Sequence, residues 1–176
     1  AFKELFKTDL DWAYDTEPQE HLAGRRLFWP RGKMLGGSSS MNAMIYQRGH
    51  AWCYNRWAEM GCGGWGWNDV LPYFKRSEDQ ARGANRYHGV DGPLRVTDLP
   101  DPNPLSRAFV QAAKQAGYAP NEDFAGPDQE GFGLFQVTQR DGRRESAATA
   151  FLEPARRRRN LSVRSRCHVT RLLWEG

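Results

Sequence analysis

Residues 31–57 constrain this chain more than any other stretch, because they set a glycine-rich, hydroxyl-rich loop between aromatic residues. Gly32, Gly36 and Gly37 allow positive φ angles or a close approach of backbone to a bulky neighbour. Ser38, Ser39 and Ser40 follow, and their hydroxyls with adjacent amides can surround an anion at the start of a helix. Asn42 adds a side chain that both donates and accepts. Trp29 and Tyr46 flank the segment where a solvated linker would carry polar residues. Such a loop suits a large planar cofactor with a phosphate tail, although composition alone fits a flexible connector equally well.

The order of residues separates the two readings. Gly32-Lys33, Leu35-Gly36-Gly37, Ser38-Ser39, Met41-Asn42, Tyr46, Gly49 and Asn55 resemble the first signature of the glucose–methanol–choline (GMC) oxidoreductases, flavoproteins that oxidise alcohols. Trp12 to Gln19 is similar to the family stretch before the signature, and Trp29-Pro30-Arg31 leads into it. The likeness continues through Gly64 to Phe74, Tyr87-His88-Gly89, Asp91-Gly92-Pro93, Glu130 to Gly133 and Arg143 to Ala155. It thus covers the chain from about residue 8 onward. Tyr46 to His50 is most similar to choline- and alkanol-dehydrogenase-like members.

The resemblance implies FAD as cofactor and a small alcohol as substrate. It implies that Gly36, Gly37, Ser38, Asn42, Ala43 and Met44 line the pyrophosphate, the ribityl chain and the N5 edge of the flavin. Trp12, Arg31, Gly32 and Leu35 are further cofactor contacts by the same likeness, and Val169 matches a position whose backbone meets the adenine in relatives. Some relatives tether FAD through a histidine directly before the signature asparagine; Met41 stands there, and a thioether forms no such bond, so non-covalent FAD is expected. The family's Gly-x-Gly-x-x-Gly turn and its carboxyl-terminal catalytic histidine pair are both missing from these 176 residues. An interior fragment of a longer enzyme is therefore expected, with no catalytic residue in this chain and with the rest of that enzyme as its partner.

By the same resemblance the fold class is mixed α/β. Residues 1–90 and 141–176 are expected in an FAD/NAD(P)-binding, Rossmann-like domain, and residues 91–140 in a sheet-based substrate-binding domain. Local signals agree with a mixed class. Residues 50–60 predict a helix closed by Gly61; Asn68 or Asp69 caps a second helix with Pro72 in its first turn. Asn103-Pro104 opens a third, whose stripe of Leu105, Ala108, Phe109, Ala112, Ala113 and Ala116 reads as core packing, with Gly117 at its end. Residues 94–97, 134–139, 161–165 and 168–174 read as extended, and Asp141-Gly142 as a turn. Ser146 can cap a short helix before Pro154, and residues 117–131 read as a long surface loop.

The remaining features exclude more than they assign. The formal net charge is +4, and the mean hydropathy of −0.78 fits a soluble chain. No apolar run approaches the ~18 residues of a membrane span. The first residues lack the apolar stretch of a secretion signal. Cys53, Cys62 and Cys167 form no metal spacing, and reduced thiols in the cytoplasm account for them. The run Arg156 to Arg159 allows a nucleic-acid module, but a short basic run is more commonly a solvated loop. A catalytically inactive remnant that packs against a partner is the other alternative. His21, His50, His88 and His168 read as structural or exposed, and no nucleic acid is expected as a partner.

Overall fold

Short-range signals place the helices of the computed structural model, which describes residues 2–174. Helix α1 spans Ala51–Glu59, and its amino end is closed by His50, whose Nδ1 accepts the Trp52 N–H at 3.0 Å. Helix α2, Trp67–Ser77, starts earlier than expected, with Gly66 at its cap. Asp69 instead reaches back from the third helical position to accept the Gly66 N–H at 3.0 Å. Asn55 of α1 accepts the Trp67 N–H at 2.9 Å, so one helix caps the next. Pro72 lies in the second turn of α2 rather than the first, where it removes one main-chain hydrogen bond. Tyr54 joins the two helices through ring contacts with Trp67 and Phe74.

Asn103 caps α3 (Pro104–Gln115) as expected, its Oδ1 accepting the Leu105 N–H at 2.9 Å. The apolar stripe of α3 is not core, however. Leu105 is 79% exposed and Phe109 65%, and only Ala113 is buried. Periodicity reveals which side of a helix is apolar, but not whether anything covers it.

Two sheets complete the described residues. Strands β1 (Tyr14–Asp15) and β2 (Phe28–Trp29) form an antiparallel pair. Strands β3 (Glu78–Gln80), β4 (Leu94–Thr97), β5 (Val137–Arg140) and β6 (Arg143–Arg144) form a mixed sheet in that order. The β3–β4 pair is parallel, with Gln80 opposite Val96, and the others are antiparallel. Asp141 and Gly142 make the β5–β6 turn as expected, both at positive φ. Residues 44–46 also lie along β5, through Thr138 N–H to the Met44 carbonyl at 2.8 Å and Tyr46 N–H to the Gln136 carbonyl at 2.9 Å.

Four expectations fail or hold only in part. The strand expected over 134–139 begins only at Val137. Ser146 does cap the segment that follows, its Oγ accepting the Thr149 N–H at 3.3 Å, but the turn is π-helical over Ala148–Leu152 and runs into a short helix α4, Glu153–Ala155, that includes Pro154. Residues 161–165 and 168–174 form no strand, because their backbone groups meet no neighbouring strand among the described residues. The loop 117–131 is not wholly superficial: Asn121 is buried, and its Nδ2 donates to the carbonyls of Asp128 and Glu130.

The core is small and partly polar. Val96, Val137, Ala113, Ala125, Ala150 and Met41 supply its apolar part. Beside them lies a buried cluster of Arg48, Glu78, Gln80, His88 and Gln136. Arg48 Nη2 meets Glu78 Oε2 at 2.6 Å, and His88 lies 2.9 Å from both Glu78 Oε1 and Asp123 Oδ2. The amides of Gln80 and Gln136 donate to each other, each at 2.9 Å. Buried charge is tolerated when every member has partners, as these do.

Candidate functional site

The glycine-rich loop is built by contact between its own two ends. A methyl group at Gly32 would stand 2.3 Å from the Gly37 carbonyl oxygen, so only hydrogen fits there. The Gly32 N–H donates to Ser38 Oγ at 3.2 Å, which closes the ring of residues 32–38. Gly36 has φ of +84° and stands against Ser40 Oγ and the side chain of Ala148. A single 3₁₀ turn, Gly37–Ser40, follows, and Ser40 Oγ donates to the Leu35 carbonyl at 2.8 Å.

Two outside supports hold this ring. The first is Asp11, whose carboxylate accepts the backbone N–H groups of Lys7, Ala13 and Arg31 at 2.9–3.0 Å. Burial pushes its carboxyl up, but the three N–H donors outweigh that and leave it below the ordinary carboxylate range. Residues 10–12 thereby run beside 31–33, with the Trp12 N–H on the Arg31 carbonyl at 2.9 Å. The second is the segment after β5. Arg144 Nη1 donates to the Ser39 carbonyl at 3.2 Å and to Asn42 Oδ1 at 2.7 Å, and the Ala147 N–H donates to Ser39 Oγ at 2.8 Å. Burial without a carboxylate partner lowers the Arg144 pKa.

The structure brings together most of the residues expected at the site. Trp12, Arg31, Gly32, Gly36, Gly37, Ser38 and Asn42 belong to the hydrogen-bonded ring or its direct supports. Leu35 is exposed on the ring's rim. Met44 takes φ of +63° and its N–H donates to Asn42 Oδ1 at 2.9 Å. Ala43 lines a groove of about 510 Å³ with Ile45, Leu99, Leu105, Phe109 and Val137. Val169 stands apart, 77% exposed and outside any strand, although its neighbour His168 packs edge-on to Trp12 at 5.1 Å. Trp12 also stacks on Tyr14 and carries the Lys33 ammonium 4.9 Å over its ring.

Sequence reading missed Asp11, Arg144 and Ala147. An Asp two residues before a turn residue is a known acceptor for following N–H groups, so Asp11 left a local signal. Arg144 left none, because its partners lie over a hundred residues away. Met41, in the position of the tethering histidine of some relatives, is 3% exposed. Among the described residues no group of His, Cys, Asp and Glu is arranged to hold a metal ion.

A glycine ring braced by Asp11 and Arg144 on a mixed α/β frame, with Trp12 and Tyr14 stacked beside it, is the candidate site. The profile of the GMC oxidoreductases matches residues 18–176, and the chain belongs to that family. It is similar to the "Alcohol dehydrogenase [acceptor]" of Pseudomonas putida, at 50% identity over 94% of this chain and 30% of that protein. It is similar also to the mitochondrial choline dehydrogenase of Homo sapiens, at 49% identity over 94% of this chain and 28% of that protein. Among solved structures, pyridoxine 4-oxidase from Mesorbium loti superposes over 100% of this chain and 35% of its own, with a TM-score of 0.90 and 38% identity. The chain thus spans about 30% of the length of the curated relatives it matches.

Proposed function

We propose that this chain supplies the cofactor loop of an FAD-dependent oxidoreductase acting on the CH–OH group of a choline- or alkanol-like alcohol. The observation that carries the reading is the closed ring of Gly32, Gly37 and Ser38, braced by Asp11 and Arg144. It fits the cofactor: a methyl group on Gly37 would meet nothing within 4 Å, so the ring's outer backbone is open to a ligand. Asn42 adds an exposed amide on the same segment.

In this proposal Gly36, Gly37 and Ser38 hold the diphosphate, while Asn42, Ala43 and Met44 meet the flavin edge. Trp12, Arg31, Gly32 and Leu35 complete the wall, and Val169 contributes backbone to the adenine end. Bound FAD supplies the hydride acceptor, N5 of the flavin. This chain's residues orient that acceptor and keep its edge dry; the base that takes the hydroxyl proton is assigned to no residue of this chain. FAD is held without a covalent bond, since Met41 offers a buried thioether where a tether would need a nucleophile. Residues 1–90 and 141–176 serve the cofactor domain, and 91–140 the substrate domain, interleaved through the four-stranded sheet. The setting is cytoplasmic, and the partners are the alcohol and the further parts of the same enzyme, with no nucleic acid. Among the described residues no helix is long and apolar enough to cross a membrane.

The test is the visible spectrum of the purified protein. Flavin bands that acid releases into the supernatant support non-covalent FAD. A protein that stays colourless after incubation with FAD overturns the reading.

A further inference from the structure

Asn42 Oδ1 receives two hydrogen bonds, from Arg144 Nη1 at 2.7 Å and from the Met44 N–H at 2.9 Å. Two donors on one oxygen fix which end of the amide is which. The Asn42 NH₂ group therefore points the other way, and among the described residues it donates to no protein group. Arg144 sits half-buried with no carboxylate in ion-pair range among the described residues, although Arg140 and Glu145 on either side of it are paired with each other. An arginine that gives up a carboxylate partner and spends its donors on a carbonyl and an amide is placed for those two groups.

We propose that Arg144 is a positioning residue for the cofactor: it aims the Asn42 amide so that its NH₂ donates to the bound flavin. This rests on the FAD reading above. Ser39 lies in the 3₁₀ turn Gly37–Ser40 and Asn42 two residues beyond it, and one guanidinium nitrogen, Nη1 of Arg144, holds both.

The substitution Asn42→Asp separates aiming from bracing. A carboxylate still accepts from Arg144 and from the Met44 N–H, so the loop keeps its support, but the outward donor is gone. In the FAD-loaded protein, N42D is expected to retain its thermal midpoint in the FAD-free form and to lose FAD about tenfold more readily on dialysis, with a displaced flavin absorption band. Arg144→Met, which also removes the bond to the Ser39 carbonyl, is expected to show the same displaced band, and the double substitution to be no worse than R144M alone, since the NH₂ that N42D removes is no longer aimed there. If R144M does not fold, N42D alone decides. N42D with wild-type FAD retention and spectrum, or losses that simply add in the double variant, overturns the proposal while leaving the FAD reading intact. A wild-type protein that takes up no FAD overturns both.

Discussion

Gly32 shows how far one residue type was readable. The sequence marked Gly32 as a place where backbone can approach closely, and the structure shows the approach: a side chain there would stand where the Gly37 carbonyl does. Gly32→Ala is expected to open the ring and abolish FAD retention while leaving the four-stranded sheet folded, measured by absorption and by circular dichroism. The buried pair Arg48–Glu78 was not readable, because neither charge has a local partner in sequence. Both side chains are at most 1% exposed at 2.6 Å separation. Glu78→Ala leaves the guanidinium buried without its counter-charge, and about 3–5 kcal/mol of stability is expected to disappear in a urea titration. His88 read as a structural histidine, and it lies buried between Glu78 and Asp123.

Helices were more legible than strands. Asn103 and Gly117 marked the ends of α3, and His50 and Gly61 those of α1, because caps are local chemistry. The start of α2 was misplaced because its second cap, Asn55, comes from another helix. Asn55→Ala is expected to cost about 1 kcal/mol, seen as a lower thermal midpoint. Residues 161–165 and 168–174 read as extended, yet a strand exists only beside another. The α3 stripe taught the same lesson in reverse: the pattern was there, the cover was not. Replacing Leu105 and Phe109 by Gln is expected to leave the thermal midpoint of this chain within experimental scatter and to reduce its self-association in light scattering.

At the level of the molecule, His88 ties β3 to the loop 121–125 through Glu78 and Asp123, with Arg48 and Arg82 completing the charges nearby. Burial pushes its pKa down, but hydrogen bonds to the two carboxylates raise it from 6.5 to about 9. The folded state therefore binds a proton that the unfolded chain gives up more easily. This contribution is whole below pH 6.5 and fades as pH rises through about 9. Thermal unfolding is expected to show a midpoint falling across that window, and a His88→Asn variant to lose the dependence. Family and mixed fold class were legible because signature residues are contiguous in sequence. The polar core was not, since it gathers residues 46–136 from separate elements.

The brace on the loop carries a consequence for synthesis. Ser39 and Asn42 leave the ribosome more than a hundred residues before Arg144 does. Until Arg144 emerges, a nascent polypeptide exposes this turn half-tethered, held only from the Asp11 side. Under the proposed function, a ribosome stalled before Arg144 displays a cofactor loop that still lacks its second support.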